Sequence, residues 1–390
     1  MKPKVLFITT DYPPGVGGQS RLSEYIVSSL QDEFDLKVYL QLDTPPPHTN
    51  FTTLQTGTGN SCLTRWINRC DLAPSFLRSC MIAKYLGRDF DLVIAGDSER
   101  SAWTAGWFRL LFRAPRFINF CQGMDFAWRN YDTITGRLHR FLLSQSACSI
   151  ASSQETASRI TSLRLSRNVS VVSPPVDLAR FKQIPKSENI LSSLVPADFK
   201  GVIISTVSRL VARKGVDRVI RALANLERDF LYMIAGDGPE RASLEKLAKE
   251  LGLAQKIIFL SEIEDEKLPH FYNLSDFFVL TPFEIHDGAK ANFEGFGMVF
   301  LEANACGKPV IATSSGGIPD AVHDGYSALV IPPNDPESLK KALLTLIDDS
   351  DLRNSMSSQA IEWASRFALS SMREKYRRFF SQHLATHPSL

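Results

Sequence analysis

Hydrophobic and polar positions alternate along the chain in two modes. Short blocks rich in Val, Ile, Leu and Phe are separated by longer segments whose apolar residues recur every three or four positions. In the first half the blocks are Val5–Thr9, Leu36–Leu40, Leu92–Ala95, Phe117–Phe120, Ser149–Ser152 and Val169–Val172. In the second half they are Val202–Val207, Phe230–Ala235, Ile257–Leu260, Phe277–Leu280, Pro309–Ala312 and Ala328–Ile331. Continuous apolar strands alternating with helix-length segments predict parallel sheets covered on both faces, and the pattern occurs twice. Asp351 to His383 reads as a closing helical segment, with Trp363, Phe367, Met372, Tyr376, Phe379 and Phe380 at apolar positions.

A chain of 390 residues fits two domains, because single cores stop growing at roughly 250–300 residues. The polar stretch from Phe181 to Lys200, with Pro185 and Pro196, reads as containing the linker. The expected division is 1–183 and 184–369, with a helix at about 370–390 packing back on the first domain. Two doubly wound sheets would direct their strand C-termini towards a shared cleft, where such folds bind ligands.

Net charge is +2, so no global field calls for nucleic acid. The six cysteines form no C-x-x-C pair and read as reduced thiols of a cytoplasmic protein. The five-residue apolar run before Asp11 is too short for a signal sequence, and no apolar stretch is long enough to span a bilayer.

Five segments carry candidate chemistry. Pro13-Pro14-Gly15-Val16-Gly17-Gly18 lies between the first strand and a helix with Leu22, Ile26, Val27 and Leu30 on one face. Its glycines permit either close approach to a phosphate or a tight turn. Ser208 to Gly215 follows a strand and places Arg209 and Lys214 where two cations can neutralise a diphosphate; Arg213 reads as solvent-facing. Ala235-Gly236-Asp237-Gly238-Pro239 is a turn into a helix, mainly structural. Glu294-Gly295-Phe296-Gly297-Met298-Val299-Phe300-Leu301-Glu302 sets two carboxylates eight positions apart around a helix start. Amides there can hold phosphate, and each carboxylate can accept from ring hydroxyls. Gly316-Gly317-Ile318-Pro319-Asp320 follows the next strand, as a donor-facing loop or an ordinary turn.

In this order the motifs resemble the family 4 retaining glycosyltransferases of GT-B fold, especially mannosyltransferase-like members. The Glu294…Glu302 string, continued by Ala-Asn-Ala-Cys-Gly-Lys-Pro-Val310 and the Gly316-Gly317 loop, carries the likeness. It is dense over 201–340 and thin over 41–115. The resemblance implies two Rossmann-like domains facing a central cleft, the first binding acceptor and the second a nucleotide-sugar. It implies that Arg209 and Lys214 bind the diphosphate, Glu294 the donor sugar and Glu302 the ribose. Amides of Phe296, Gly297, Met298 and Val299 would hold phosphate and sugar, Gly17 and Gly18 would close on the phosphate, and the base would lie near Glu262 and Ile263. Where family members often have His-Gly, this chain has Gln122-Gly123. An amide can position a donor but cannot titrate near neutrality, so Gln122 is assigned positioning only. Asp125 would contact the acceptor or brace the loop.

The implied reaction moves a hexose from a GDP-mannose- or UDP-glucose-type donor to a carbohydrate or lipid-linked acceptor in glycolipid or surface polysaccharide synthesis. No metal or other cofactor is expected, since the two cations and the helix amides would take the leaving-group charge. Asp89-Phe-Asp91 precedes a strand and reads as a turn, away from the ligand end. The competing readings are a sugar-nucleotide epimerase of the same fold, a synthase with a soluble sugar acceptor, and a non-catalytic nucleotide-sugar-binding protein. Residues 62–88 and 100–117 mix Arg and Lys with Trp, Phe and Leu. They fit either peripheral contact with an anionic membrane on its inner face or core-facing helices with a solvated basic side.

Overall fold

The computed structural model describes residues 2–13, 17–40, 52–55, 72–127, 129–288 and 290–385. The chain forms two compact units: Met1–Pro174 with Asp287–Ala291 and Ser370–Leu390, and Pro175–His286 with Asn292–Leu369.

The first unit is built on a parallel sheet of β1 (Lys4–Thr9), β2 (Asp35–Leu40), β3 (Thr52–Gln55), β4 (Leu92–Ala95), β5 (Phe117–Cys121), β6 (Cys148–Ala151) and β7 (Val169–Val171), in the order β3-β2-β1-β4-β5-β6-β7. Strand β1 is the hub, with Val5 opposite both Leu36 of β2 and Leu92 of β4. Val5, Leu6 and Phe7 have no exposed surface, as a strand covered on both faces requires. The helix Gly18–Leu30 follows β1 and buries Leu22, Ile26, Val27 and Leu30, the predicted stripe. Asp91 holds the start of β1 by accepting the Lys4 N–H at 2.7 Å, so the Asp89-Phe-Asp91 string is turn chemistry.

The second unit has a parallel sheet of β8 (Val202–Val207), β9 (Phe230–Ala235), β10 (Ile257–Leu260), β11 (Phe277–Leu280), β14 (Val310–Thr313) and β15 (Ala328–Ile331), in the order β10-β9-β8-β11-β14-β15. A short pair, β12 (Ile285–Asp287) and β13 (Lys290–Asn292), stands apart from both sheets. In each sheet the strand order reverses once, between β1 and β4 and between β8 and β11. Crevices at the strand C-termini beside such reversals are where open α/β sheets bind ligands.

Two expectations are corrected. The first unit ends at Pro174, not at 183, because Val176 and Phe181 are buried in the second unit's core. The polar stretch after Phe181 is likewise not a linker. Asn189 donates to the His270 carbonyl at 2.9 Å, and Leu191, Val195 and Phe199 pack on Leu231, Met233 and Phe271. The closing segment is two helices, Ser350–Ser365 and Leu369–Ala385. Phe367 and Leu369 break it by exchanging backbone hydrogen bonds with Val176. From Ser370 the chain belongs to the first unit, where Met372, Tyr376 and Phe380 are buried beside Phe120.

Candidate functional site

Strand β8 ends at Val207, and the chain then runs through an exposed Arg209 to one turn of 3-10 helix, Ala212–Lys214. Gly215 follows at φ 68°, the left-handed region that favours glycine. A side chain there would also run into the Thr281 carbonyl on the loop after β11. Thr281 donates its hydroxyl to the Gly215 carbonyl at 3.0 Å, and the Phe283 N–H donates to the Arg213 carbonyl at 2.9 Å. The two loops at the β8–β11 reversal are thus fastened to each other.

Onto this frame comes Glu294. Its carbonyl accepts the Gly317 N–H at 2.7 Å, and Gly316, at φ 58°, leaves the room that a Cβ would take from the Glu294 backbone. Oε2 of Glu294 accepts from Arg213 Nη1 at 2.7 Å and from Lys214 Nζ at 2.6 Å. The side chains of Arg213, Lys214 and Glu294 are 13%, 12% and 15% exposed. Burial works to raise the Glu294 pKa, but Lys214 and Arg213 outweigh it and hold the carboxyl down at about 2. Glu294 is therefore an anion across the whole physiological range.

Gly297, at φ 95°, starts the helix Met298–Ala305, which no side chain caps. Its first-turn amides, including those of Met298 and Val299, lack intrahelical acceptors and carry the positive end of the helix dipole. Phe296 and Gly297 are buried, Met298 and Val299 half-buried. One turn on, Glu302 Oε2 accepts from the fully buried Tyr272 hydroxyl at 2.9 Å. Burial first, then the Glu302 charge, keeps that phenol protonated. Ile263 is half-buried against Leu231, Met233, Ala235 and Phe271, and Glu262 is exposed.

Lys214, Glu294, Phe296, Gly297, Met298, Val299, Glu302, Arg209 and Ile263 thus all belong to the second unit. Two details differ from expectation. Arg213 does not face solvent; it shares the Glu294 oxygen with Lys214, because the 3-10 turn sets both side chains on one side. The exposed Arg209 is not part of that cluster. Arg213 and Tyr272 were both missed: a basic tripeptide does not say which side chain turns inward, and a core tyrosine carries no motif.

Gln122, Gly17 and Gly18 belong to the first unit. Gly17, at φ 121°, starts the helix Gly18–Leu30, while Pro14, Gly15 and Val16 lie outside the described residues. Gln122 donates its side-chain amide to the Gly96 carbonyl at 3.0 Å. Asp125 accepts the backbone N–H groups of Gln122, Gly123 and Ser98 at 3.0, 3.0 and 2.7 Å, so it braces two loops. Burial raises its pKa to about 6 against those hydrogen bonds. Ser98 is fixed from behind by His139, whose Nε2 is 2.7 Å from the Ser98 carbonyl. The His139 ring stacks between Trp103 and Tyr131 at 5.3 and 5.7 Å. Burial first, with Arg129 assisting, lowers its pKa to about 3, so the imidazole is neutral. In front lies a cavity of about 560 Å³ lined by Thr10, Asp11, Gln19, Asp97, Glu99, Asp125, Arg129, Asn130, Thr133 and Thr135.

The second unit thus sets a cation-held glutamate beside an uncapped helix start at the strand ends of a parallel sheet. Residues 195–363 match the family model for glycosyl transferases group 1, so that segment of the chain carries a glycosyl transferase group 1 domain. The GDP-mannose-dependent alpha-(1-6)-phosphatidylinositol monomannoside mannosyltransferase of Mycolicibacterium smegmatis is 28% identical over 378 residues, covering 92% of this chain and 93% of its own. The D-inositol 3-phosphate glycosyltransferase of Saccharomonospora viridis is 34% identical over 213 residues, 51% of this chain and 47% of its own. The fold is GT-B. Anabaena HepE, crystallised with UDP and glucose, superposes with a TM-score of 0.78 at 19% identity, covering 97% of this chain and 100% of its own. Sucrose-phosphate synthase from Thermosynechococcus elongatus does so with 0.79 at 19% identity, covering 99% and 100%.

Proposed function

We propose that the protein is a retaining, metal-independent hexosyltransferase. It takes a GDP-mannose- or UDP-glucose-type donor and glycosylates a hydroxyl in glycolipid or surface polysaccharide synthesis. The observation that carries this is the Glu294 carboxylate held by Arg213 and Lys214 beside the helix start at Met298. The diphosphate meets Lys214, Arg209 and the amides from Phe296 to Val299, while Glu294 accepts from sugar hydroxyls and Glu302 from the ribose. In the reaction the bond from the anomeric carbon to the β-phosphate oxygen breaks, and a bond to the acceptor oxygen forms on the same face. The departing phosphate takes the acceptor proton. The protein's share is positioning and charge stabilisation.

Relatives named for GDP-mannose and for phosphatidylinositol mannosides support a mannosyl donor and a lipid-linked acceptor. The hydroxyl- and carboxylate-lined cavity of the first unit suits the hydroxyl groups of an acceptor, with Gln122 and the Gly17–Gly18 turn positioning the donor. The test is a thermal-shift panel of GDP- and UDP-sugars followed by turnover on the best donor in excess EDTA. Stabilisation by one donor and EDTA-resistant transfer with the anomeric configuration kept is the expected result. Inversion, a requirement for metal, or an epimer formed without acceptor would overturn the reading.

Peripheral membrane contact is part of the same proposal. Among the described residues no helix is long and apolar enough to cross a membrane. The helices Leu72–Tyr85, Arg100–Phe112 and Ile134–Leu143 expose Phe76, Leu77, Leu110, Leu111 and Phe141. Lys84, Arg88, Arg113, Arg116 and Arg137, on or beside the same helices, are exposed as well. Trp103 and Phe108 are core residues, so the lipid-facing set is smaller than the sequence suggests; Cys62 to Cys70 lies outside the described residues. Exposed apolar side chains with basic neighbours suit an anionic bilayer. Co-sedimentation with vesicles containing anionic lipid, lost at high salt and with Leu110→Ser/Leu111→Ser, is expected. Equal recovery with purely zwitterionic vesicles would count against it.

A further inference from the structure

One carboxylate oxygen of Glu294, Oε2, carries two cations, and the donor-site reading asks Lys214 to serve a diphosphate as well. We propose that Arg213 is the positioning residue for Glu294, keeping its carboxylate oriented and ionised while the donor diphosphate draws Lys214 away. The inference rests on the donor-site reading given above.

The two cations are not equivalent. Lys214 ends in a compact ammonium on a flexible stem, free to swing between partners, whereas the Arg213 guanidinium is a planar fork that loses less freedom per hydrogen bond. The base of Arg213 is also anchored. Its carbonyl holds the Phe283 N–H at 2.9 Å, and the Phe283 ring in turn packs under Arg218 at 3.5 Å. Gly215, two residues on, is pressed against Thr281. Arg213 therefore approaches Glu294 from a backbone tied across the β8–β11 reversal.

The need for such a residue follows from burial. With only 15% of the Glu294 side chain exposed, the loss of Lys214 to a diphosphate, were Arg213 not there, would leave an anion short of water and of charge partners. Breaking a buried pair in that way is strongly unfavourable. A second cation removes the penalty and lets Lys214 move. Other ionisable groups on the packed elements are Glu284, 3.3 Å from His286, and Asp320 on the short helix Ile318–Ala321. Arg213 and Lys214 are the charges that hold the Glu294 carboxyl at about 2. Losing Arg213 raises that value, because burial then meets one opposing cation.

The test uses the full chain and the best donor of the panel, with kcat and donor KM measured between about pH 5 and 9 for wild type, Arg213→Gln, Arg213→Lys and Glu294→Gln. For Arg213→Gln, kcat is expected to fall about 10- to 100-fold with KM changed by less than about threefold. Its acid limb moves to higher pH. Arg213→Lys, which keeps a cation and a folded loop, retains the wild-type acid limb and loses less than about tenfold in kcat. A wild-type kcat and pH profile in Arg213→Gln would overturn the inference, as would a rise in KM alone, which marks a diphosphate ligand only. Should Arg213→Gln not fold, Arg213→Lys decides alone: a shifted acid limb despite its retained cation would overturn the inference. If Glu294→Gln keeps full turnover, the donor-site reading itself has failed. If it is inactive while Arg213→Gln behaves as wild type, that reading stands and only the role of Arg213 falls.

Discussion

Glu294→Ala is expected to lower kcat about a hundred- to a thousandfold, the range seen when one preorganised polar contact to a reacting group is removed. Far-UV circular dichroism should remain that of a folded protein. The side chain sits on a loop whose backbone is held independently, by the Gly317 N–H on its carbonyl and by the close approach of Gly316. What the variant loses is the acceptor for donor hydroxyls, and what it leaves is Arg213 and Lys214 directed at one vacated point. Repulsion between them lowers the melting temperature without unfolding the sheet, which does not depend on either. Lys214→Ala should cost a similar factor, and the double variant little more than either alone, because groups acting as a unit are not additive. Single-turnover rates with saturating donor are the measurement; full activity in either purified variant would remove that residue from the site.

Gly215→Val is expected to lower stability sharply, through a loop that frames the site. At φ 68° a β-branched residue is a genuine outlier, at a cost of about 1–3 kcal/mol for the backbone alone. Its Cβ would also meet the Thr281 carbonyl, so the loops that fasten β8 to β11 must part. Gly252 supplies an internal control: its φ is 71°, nearly the same, but no atom lies within 4 Å of where a Cβ would stand. Gly252→Val therefore reports the strain without the collision. In calorimetry Gly215→Val should melt lower than Gly252→Val by several degrees, since about 1 kcal/mol shifts a unit of this size by ~2–4 °C. It should also lose turnover, which Gly252→Val keeps. Equal melting temperatures would mean that the approach to Thr281 is not tight.

The parts of the fold legible in the sequence are those where burial dictates composition. Val202–Val207, Phe230–Ala235 and Phe277–Leu280 are strands with the predicted ends, because interior parallel strands admit almost nothing but apolar residues. Thr52–Gln55 was missed: it lies at the sheet edge, where Thr and Gln are tolerated and one leucine is the whole signal. The pair β12 and β13 reads as polar loop for the same reason. The break at Phe367–Leu369 left no local trace, since its cause is Val176, far away in the chain. At the site, the spacing of Glu294 and Glu302 located both carboxylates, each with a buried hydrogen-bond partner. The partners were harder to see. A single turn of 3-10 helix decides that Arg213 faces Glu294, and Tyr272 reaches Glu302 only through tertiary packing.

The closing helix has a bearing on biosynthesis. Residues up to Pro174 are translated before the second unit, yet the hydrophobic face around Phe120 and Ile150 is covered by Met372, Tyr376 and Phe380, which are translated only after it. Domains usually fold as they are made, but this one must wait with an open apolar face. During that delay the face is exposed to wrong partners, and a chain cut short before Met372 would leave it uncovered even though every residue up to Pro174 had been made.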